Sequence, residues 1–437
     1  MTRRKKSSFK RKITVVGCGK LGLPLVAVLA NAGHEVKGFD LSESLISTLS
    51  SNEVPWFEES LQQMLRMNCQ RIEFTSDPSR AYLDSEYFLI IVPSPSNIEG
   101  VFDSMFVESA LFAILRERKG DTTTKIKIVI VSTLMPGATD ELFKKLHEEF
   151  GDQLRNYDII YSPEFIALGS VIRDMTHPDL VLVGTYNESS AQEYEKLVKS
   201  YVKTSPYFAF LSPKEAEIAK IAVNSFVTTK ISFANFISEL CDASGNASAS
   251  KVLHSIGTDS RIGRSYLNAG APFGGPCFPR DNIALSKYSS GVGVEALLAT
   301  STHQINQRQI ARIAGFIEQR SNLREAVLVG VAYKPGTEVT EESPSLTLAS
   351  RLQKEWNVLV LDDYMSTCLP NKNLTFTTRA SLRNSPQCVI LMVPDNKYAD
   401  IPLILHNQSV IFDLWGNWRQ SAENRGLAYF RLGDRNE

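Results

Sequence analysis

The sequence predicts an α/β protein with a doubly wound parallel sheet, a central domain built on a long helix, and a second α/β domain. Three observations support this prediction. Short apolar runs alternate with helical stretches up to Val183, a long helical pattern begins at Pro213, and strand and helix patterns alternate again from 326 to 414. Because 437 residues are too many for one ordinary core, we predict four segments: a basic arm (1–11), the first sheet domain (12–211), the helical domain (212–320) and the second α/β domain (321–437).

The composition excludes several classes of partner. With 43% hydrophobic and 22% charged residues and a formal net charge of -1, the chain offers no bulk charge for nucleic acid or a membrane. The six cysteines are scattered, with neither metal-ligand nor disulfide-scaffold spacing. We therefore expect no metal and a reducing, cytoplasmic location. The basic segment 2–12 and the apolar run after it resemble a secretory leader, but the glycines of that run indicate another purpose, and we expect a solvated, disordered arm.

A glycine pattern follows the first predicted strand. The strand, 12–19, runs into Gly17-Cys18-Gly19-Lys20-Leu21-Gly22, and a helix is predicted over 23–31. This G-x-G-x-x-G between strand and helix is typical of a Rossmann-type dinucleotide site. The first glycine makes the turn, the second lets a pyrophosphate approach, and the third lets helix and strand pack closely. The phosphates would lie on the backbone N–H groups at the helix start, around Lys20 and Leu21.

Asp40 ends the next predicted strand, Glu35–Phe39. A carboxylate at this point accepts hydrogen bonds from the ribose hydroxyls and repels a 2′-phosphate. The sequence therefore predicts NAD rather than NADP as the cofactor.

Further strands are predicted at Tyr87–Pro93, Ile126–Thr133, Asp158–Tyr161 and Leu180–Val183. Ligands of such sheets bind at the carboxyl ends of the strands. Three ends carry unusual residues, namely Pro93 and Ser94, Ser132 and Thr133, and Glu164 with Phe165. Ser and Pro also terminate strands in ordinary turns, whereas an acid just past a buried strand favours a functional role for Glu164.

A helix of roughly thirty residues is predicted from Pro213 to Ala243, capped by Ser212. It is too polar to span a membrane, and its apolar residues are numerous enough to predict packing against a second subunit. Lys220 and Asn224 are four residues apart and share one face. A lone Lys usually lies on a solvated face, but apolar neighbours make this face less solvated than average.

The segment from Gly270 to Asp281 holds adjacent glycines, several prolines and a single Cys277. A thiol on such a loop can be a nucleophile when its surroundings favour the thiolate. Arg280 would favour the thiolate, and Asp281 could hold a water. The alternative is a tight turn that carries a small buried cysteine.

The last part of the chain repeats the α/β pattern without the strict glycine motif at Gly330–Lys334, so we expect a nucleotide site there but no second NAD. Its predicted elements are a helix over 292–319, a strand at 326–332, a helix at 345–356, and strands at 358–361, 388–393 and 410–414.

These residues resemble the UDP-glucose/GDP-mannose dehydrogenase family over roughly 12–416. The most specific match is Phe273-Gly274-Gly275-Pro276-Cys277-Phe278-Pro279-Arg280-Asp281, which is similar to the family's catalytic loop. Further matches are Asp259-Ser260-Arg261-Ile262-Gly263, Lys220 with Asn224, Pro163-Glu164-Phe165, Ser132-Thr133, Pro136-Gly137 and Lys334.

The resemblance implies oxidation of a nucleotide-sugar C6 alcohol to the acid with two NAD, in a homodimer whose C-terminal domain binds the nucleotide sugar. It implies catalytic roles for Cys277 as thioester nucleophile and for Lys220, Asn224, Asp281, Glu164 and Thr133. Pro93, Ser94, Ser132 and Thr133 would contact NAD together with the glycine turn and Asp40. The substrate would be bound by Glu164, Phe165, Lys220, Asn224, Arg261, Phe273, Gly274, Gly275 and Lys334, with Arg261 reaching a neighbouring subunit's site.

Three departures from the family pattern affect the substrate: Leu168, Leu180 and Glu341 stand where Glu, Arg and Arg are usual. UDP-glucose, a UDP-N-acetylhexosamine (GlcNAc or ManNAc) and GDP-mannose all remain candidates. A 3-hydroxy acid dehydrogenase of the same fold would need neither Cys277 nor residues 326–414. A catalytically inactive NAD-binding subunit is the remaining alternative, and the intact set of catalytic residues disfavours it.

Overall fold

A computed structural model describes residues 9–118, 125–365 and 374–434. The chain forms two compact units, Met1–Ile221 and Ala222–Glu437. The division falls inside one long helix. The finer division at 212 and 321 stays a prediction.

The first unit holds an eight-stranded sheet in the order β3-β2-β1-β4-β5-β6-β7-β8. Its strands are β1 Lys12–Val16, β2 Glu35–Phe39, β3 Ile72–Thr75, β4 Tyr87–Ile90, β5 Ile126–Ile130, β6 Tyr157–Tyr161, β7 Leu180–Gly184 and β8 Tyr207–Leu211. Its helices are α1 Gly22–Asn31, α2 Glu43–Ser50, α3 Leu61–Met67, α4 Pro78–Tyr82, α5 Met105–Glu117, α6 Ala138–Phe150, α7 Val171–Thr176 and α8 Glu188–Tyr201. Neighbouring strands are parallel except β6 and β7, which meet antiparallel at Tyr161 and Gly184. The predicted doubly wound parallel sheet is confirmed, and its edge strand β3 and the strand β8 were not anticipated.

The sheet is covered by apolar side chains on both faces, as expected for parallel strands. Helix α1 illustrates the cause, since its sequence contains no charged residue and every position from Gly22 to Ala30 is buried. The apolar run that resembled a leader is therefore a core helix that follows the glycine turn.

Of the predicted N-terminal arm, residues 1–8 lie outside the described residues. Its last three residues contact the first unit. The ring of Phe9 meets that of His34 edge-on at 6.3 Å, Lys10 pairs with Glu35 at 2.5 Å, and Arg11 pairs with Glu86 at 2.8 Å.

Helix α9 runs from Pro213 to Ser244, 32 residues, as the apolar periodicity predicted. Its start is a capping box: Ser212 Oγ accepts the N–H of Glu215 at 3.4 Å, and the Glu215 carboxylate accepts the N–H of Ser212 at 2.8 Å. Within the described parts of the chain, no helix is both long and apolar enough to cross a bilayer.

The second unit contains helices and a six-stranded parallel sheet in the order β11-β10-β9-β12-β13-β14. Its further helices are α10 Ala249–Gly257, α11 Phe278–Gly291, α12 Leu297–Glu318, α13 Pro344–Leu352, α14 Ile401–Ile404 and α15 Arg419–Arg425. Its strands are β9 Glu325–Val329, β10 Asn357–Leu361, β11 Thr375–Phe376, β12 Cys388–Leu391, β13 Val410–Asp413 and β14 Ala428–Phe430. The helix predicted from Val292 begins only at Leu297, since Gly293 takes a φ of +77°, which breaks the helical backbone.

The turn after β9 repeats the construction of the turn after β1. Gly17 and Gly330 have φ of +100° and +86°. The next N–H donates to an acid at the end of the neighbouring strand, Cys18 to Asp40 at 2.8 Å and Val331 to Asp362 at 2.7 Å. The two sheets are thus variants of one design, as the order of predicted elements suggested.

Candidate active site

The three glycines of the turn after β1 have different surroundings. A Cβ on Gly17 would lie 2.5 Å from the Ile91 carbonyl oxygen, and one on Gly22 would lie 1.8 Å from the Gly17 carbonyl oxygen. A Cβ on Gly19 would meet no heavy atom of the described chain within 4 Å. The first and third glycines therefore allow the backbone to pack, while the second leaves open space above the turn, which suits a bound pyrophosphate.

The start of α1 is suited to an anion. Leu21, which precedes the helix, provides no capping side chain, and Lys20 is exposed. The first backbone N–H groups of the helix are therefore oriented as in a phosphate site.

Asp40 is bound to the glycine turn itself. One carboxylate oxygen accepts the N–H of Cys18 at 2.8 Å and the other accepts the N–H of Ser42 at 2.9 Å. Each oxygen has a second lone pair, so the predicted bonds to ribose hydroxyls remain open to it. The sequence pattern did not reveal that Asp40 also holds the turn in shape.

Two further strand ends lie beside one another in the sheet, after β4 and β5. The Ser132 hydroxyl accepts the N–H of Val92 at 2.9 Å and donates to the Val92 carbonyl oxygen at 2.7 Å. Ser132 thus joins the two strand ends and is buried, as is Ser94, whereas Pro93 is exposed and Thr133 half-buried. The primary contact of Ser132 is with the protein, so among these residues Thr133 and Pro93 are better placed for direct contact with a cofactor.

Glu217 of α9 caps helix α6. Its buried carboxylate accepts the N–H of Gly137 at 2.5 Å, the N–H of Thr139 at 2.8 Å and the Thr139 hydroxyl at 2.6 Å. Burial raises the pKa of Glu217, against the effect of these three bonds. In the fold Glu217 fixes the loop 133–137 to the helix that carries Lys220.

Lys220 is buried, with only 6% of the residue exposed. Its Nζ donates to the backbone carbonyl oxygen of Glu164 at 2.7 Å and lies 4.4 Å from the centre of the Phe165 ring. The alternative of a Lys on a solvated face is wrong. The structure brings Lys220, Glu164 and Phe165 together in the first unit.

The Glu164 carboxyl is only partly exposed, and its burial raises the pKa from 4.5 to about 7, while the positive charge of Lys220 works in the opposite direction. A carboxyl that titrates near neutrality can accept or release a proton at working pH, which is the property of a general base.

In the second unit, Cys277 is exposed and directly precedes α11. A thiol at a helix N-terminus is in a field that favours the thiolate. One turn later, the carbonyl oxygen of Cys277 accepts the N–H of Asp281 at 2.8 Å. The alternative of a small buried cysteine is therefore wrong.

Asp281 is buried and accepts a hydrogen bond of 2.6 Å from Asn224 Nδ2. The Arg280 Nε atom lies 3.7 Å from the other carboxylate oxygen of Asp281. Next to this pair, Ser225 donates to Asn282 Oδ1 at 2.7 Å. The structure thus joins the predicted residues Asn224 and Asp281 through the first turn of the helix that follows Cys277.

The two glycines before Cys277 are packed against the protein. A Cβ on Gly274 would lie 2.1 Å from the Glu342 carbonyl oxygen, and one on Gly275, with φ of +83°, would lie 2.4 Å from the Tyr333 ring. The expectation that these glycines admit a ligand was incomplete, because close packing against the segment around Lys334 already requires them. Phe273, the residue before them, is buried.

Two other predicted substrate residues, Arg261 and Lys334, lie in the second unit. The Arg261 side chain is 87% exposed and pairs with Asp259 at 2.6 Å. Lys334 is half-buried, with its Nζ 6.0 Å from the centre of the neighbouring Tyr333 ring. Their predicted contacts with the substrate stay predictions.

The sequence analysis missed three carboxamides that hold the start of the Cys277 loop. Asn235 on α9 and Asn306 and Gln309 on α12 hydrogen bond to the backbone of Gly270 and Phe273. The three-residue spacing of Asn306 and Gln309, which places both on one helical face, was the available signal.

A Rossmann-type glycine turn, an acid at the end of β2, and a Lys–Glu pair at a strand end together define a dinucleotide-dependent dehydrogenase. Residues 11–202 match the NAD binding domain of the UDP-glucose/GDP-mannose dehydrogenase family, and residues 214–308 match its central domain. The chain belongs to this family, and is an NAD-dependent nucleotide-sugar dehydrogenase.

Several proteins similar to this chain are named UDP-glucose dehydrogenases. The UDP-glucose 6-dehydrogenase TuaD of Bacillus subtilis (strain 168) is 30% identical over 357 residues, which is 79% of this chain and 74% of that protein. The UDP-glucose 6-dehydrogenase AglM of Haloferax volcanii is 29% identical over 78% of this chain and 80% of its own. A UDP-glucose dehydrogenase structure from Pyrobaculum islandicum superposes with a TM-score of 0.85 at 26% identity, over 95% of this chain and 97% of that one.

The fold is also shared with a UDP-D-ManNAc dehydrogenase structure from Pyrococcus horikoshii. That structure has a TM-score of 0.80 at 21% identity and covers 97% of this chain and 99% of its own. At this identity the likeness concerns the fold alone.

Proposed function

We propose that the protein oxidises the C6 alcohol of a UDP-hexose, with UDP-glucose as the first candidate, to the carboxylate through a thioester on Cys277. The observation that carries the proposal is the position of Cys277, exposed at the start of α11 and one turn from the hydrogen-bonded pair Asn224–Asp281. The name UDP-glucose 6-dehydrogenase, borne by relatives at about 30% identity, supports the choice of sugar.

The residues of the first unit fit NAD. Gly17 and Gly22 give the close packing of the turn, Gly19 leaves space for the pyrophosphate, and Asp40 presents a carboxylate to the adenosine ribose. The same carboxylate would repel the 2′-phosphate of NADP. When bound, NAD accepts a hydride from the sugar carbon in each of the two oxidations.

Cys277 makes the second oxidation possible. The first oxidation gives the C6 aldehyde and releases one proton. The thiolate of Cys277 then adds to the aldehyde carbon to form a C–S bond and a thiohemiacetal. Oxidation of the thiohemiacetal leaves a thioester, and water replaces the sulfur, so that the carboxylate leaves and the thiol is restored. The overall reaction consumes two NAD and one water per sugar and needs no other co-reactant.

Lys220 and Asn224 are the proposed donors to the C6 oxygen. They lie one turn apart on α9, so an ammonium and an amide N–H₂ project from one side of the helix. Both groups would stabilise negative charge that develops on that oxygen as the thiolate adds. Glu164, with a pKa of about 7, would take up the proton of the alcohol or of the hydrolytic water.

Asp281 has a different role from the one that its sequence position suggested. Its carboxylate is buried and accepts a hydrogen bond from Asn224. It would therefore orient the Asn224 amide toward the substrate and hold the first turn of α11 in place. Glu164 is then the better candidate for activating water.

The choice of sugar depends on residues that depart from the family pattern. Leu168 replaces an expected Glu and Glu341 replaces an expected Arg, so a UDP-N-acetylhexosamine or GDP-mannose is the alternative substrate. The acidic segment Glu338, Glu341 and Glu342 is exposed beside the Lys334 turn. A more acidic surface disfavours additional negative charge on the substrate but does not distinguish a glucose from an N-acetylhexosamine.

We also propose a homodimer through α9. Large apolar side chains on this helix are solvent-exposed, among them Phe226 by 64%, Phe233 by 43%, Phe236 by 46% and Leu240 by 50%. Phe226, Phe233 and Leu240 repeat every seven residues and so form one stripe. Exposed apolar area of this kind marks a protein interface. The cytoplasmic location stays a prediction.

The test combines a substrate screen with the covalent intermediate. UDP-glucose, UDP-N-acetylglucosamine, UDP-N-acetylmannosamine and GDP-mannose are each incubated with the protein and NAD, and NADH is counted per sugar consumed. Two NADH per UDP-glucose are expected. With Cys277→Ser, mass spectrometry should detect a sugar adduct on the peptide that contains residue 277, because an oxygen ester hydrolyses more slowly than a thioester. One NADH per sugar, or full four-electron turnover by Cys277→Ala, would overturn the thioester mechanism.

A further inference from the structure

The backbone of Phe273 is paired with a single side chain. Asn306 Oδ1 accepts the Phe273 N–H at 2.8 Å, and Asn306 Nδ2 donates to the Phe273 carbonyl oxygen at 2.9 Å. A carboxamide presents a donor and an acceptor side by side, so it can satisfy both groups of one residue. A carboxylate or a hydrocarbon of the same shape satisfies at most one.

Gly270, three residues earlier, is held in the same way by two carboxamides. Its N–H donates to Asn235 Oδ1 at 2.9 Å, and its carbonyl oxygen accepts a hydrogen bond from Gln309 Nε2 at 2.8 Å. Asn235 and Gln309 are only 1% and 3% exposed. Asn306 and Gln309 lie on α12 and Asn235 on α9, so two helices fix four backbone groups of the loop.

The loop cannot easily relax between these bonds and Cys277. Gly274 and Gly275 are packed so closely against Glu342 and Tyr333 that neither has room for a Cβ. Beyond Cys277, the bond from Asn224 to Asp281 fixes the first turn of α11. The thiol therefore lies on a short span between the Asn306–Phe273 hydrogen bonds upstream and the Asn224–Asp281 hydrogen bond downstream.

We propose that Asn306 is a positioning residue for the Cys277 nucleophile. This inference rests on the proposed function, since it assigns Asn306 to the step in which the thiol attacks the aldehyde. The loss of the bonds to Phe273 would let the loop shift and move the sulfur away from its line of approach. A displacement of about 1 Å at a reacting atom lowers a rate by up to roughly 100-fold. Alcohol oxidation, in which the thiol takes no part, should change much less.

The variants are Asn306→Ala, which removes both bonds, and Asn306→Asp, which keeps only the acceptor at neutral pH. Gln304→Ala is the matched control, because Gln304 is an exposed carboxamide on the same helix. Alcohol oxidation is measured with the UDP-hexose, and aldehyde oxidation with the corresponding UDP-hexodialdose. Both are followed at 10 °C on protein that circular dichroism shows to be folded.

For Asn306→Ala we expect kcat for aldehyde oxidation to fall about 10-fold to 100-fold, with KM for NAD within twofold of the unaltered protein. Asn306→Asp should show the same defect at pH 8 and recover relative to the unaltered protein as pH falls toward 5. The reason is that the Phe273 carbonyl oxygen, an acceptor, disfavours an ionised carboxylate beside it and so raises the pKa of the introduced Asp, and the protonated Asp regains a donor for that oxygen. A role in folding alone would give no such recovery.

Iodoacetamide labelling gives a readout that needs no substrate. Peptide mass spectrometry follows alkylation at residue 277, with exposed Cys69 as the internal reference. At pH 8 the ratio of the two rates should change at least threefold in both Asn306 variants and stay constant in Gln304→Ala. If Asn306→Ala does not fold, the labelling ratio of Asn306→Asp is compared between pH 5 and pH 8 instead.

The result that overturns the inference is a folded Asn306 variant with an unchanged labelling ratio and an unchanged ratio of aldehyde to alcohol oxidation. Failure of the proposed function has a different signature, because the unaltered protein then oxidises no nucleotide sugar. The labelling ratio still decides in that case whether Asn306 sets the position of Cys277.

Discussion

The ammonium group of Lys220 donates a 2.7 Å hydrogen bond to the backbone carbonyl oxygen of Glu164, whose own carboxyl has a pKa of about 7. Lys220 is thus held by the main chain of Glu164, the residue whose carboxyl it acts on electrostatically. Its positive charge lowers the pKa of that carboxyl, and burial raises it by more. The pair combines a fixed cation for an oxyanion with a carboxyl that titrates at working pH.

Glu164 should make both activity and stability depend on pH around neutrality. As a base it acts in the ionised form, so alcohol oxidation should rise with an apparent pKa near 7. Glu164→Gln should abolish this rise and lower kcat. A steady-state pH profile from 5.5 to 8.5 for both proteins checks the expectation, and a rise that survives in Glu164→Gln would contradict it.

The stability effect of Glu164 has the opposite direction. The folded-state pKa of about 7 lies above the value of 4.5 for an unperturbed carboxyl, so the folded chain keeps a proton that the unfolded chain has lost. The contribution of Glu164 to stability is therefore fully present below pH 4.5 and is lost as pH rises through 7, by up to roughly 3 kcal/mol. Urea unfolding of Glu164→Gln should lack this decline. The free energy of unfolding of the variant, relative to that of the unaltered protein, should therefore be higher at pH 8 than at pH 5.

Asp40 should affect cofactor choice and the shape of the turn separately. Asp40→Ala removes the acceptors of the Cys18 and Ser42 N–H groups, so we expect weaker NAD binding and a loss of about 1–3 kcal/mol in stability. Asp40→Asn keeps one acceptor oxygen and removes the charge, so it should relax discrimination against NADP with a smaller loss of stability. Calorimetric Kd values for NAD and NADP, with melting curves, measure both effects. Equal behaviour of the two variants would argue against a dual role.

Glu217 should stabilise the start of α6 and slow amide exchange there. Its carboxylate satisfies the Gly137 N–H, the Thr139 N–H and the Thr139 hydroxyl, and the loss of a buried acceptor with several partners costs about 2–4 kcal/mol. Glu217→Ala should therefore speed amide exchange at Gly137 and Thr139 and weaken NAD binding through the adjoining loop. The comparison is Glu215→Ala, which removes an exposed capping carboxylate at a cost of about 1 kcal/mol. Unchanged exchange at Gly137 would contradict this role.

The parallel sheet and the glycine turn were predictable because each depends on local signals. β1, Gly17 and the apolar α1 follow one another in sequence, and the period of the apolar residues differs between strand and helix. The long α9 was equally evident, since Ser212, Pro213 and Glu215 mark its start. The start of α12 was misjudged because Gly293 breaks the helix within a run of compatible composition.

The site was predictable only in its residue types. Cys277, Lys220 and Glu164 stand out as unusual residues at expected places. Their partners do not, since Asn224 is 57 residues from Asp281 and Glu217 is 78 from Thr139 along the chain. Contacts between residues so far apart along the chain depend on how the helices pack, and the periodicity of apolar residues does not predict that packing. Asn306 illustrates the limit, because its spacing from Gln309 places both on one helical face but does not reveal that Asn306 binds a loop 33 residues away.

The exposed stripe on α9 should be the dimer interface. Phe233 lies at its centre, between Phe226 and Leu240, and is 43% exposed. Phe233→Glu places a charge in the apolar stripe, and because a central aromatic anchor contributes 2 kcal/mol or more in interfaces of this kind, the dimer Kd should rise by roughly 30-fold or more. Phe143→Glu is the matched control, since Phe143 is 46% exposed on α6, outside the stripe. Light scattering across a protein dilution series measures the dimer in each variant. A chain that is monomeric before substitution, or a Phe233→Glu variant that dissociates no more readily than Phe143→Glu, would show that α9 does not form the interface.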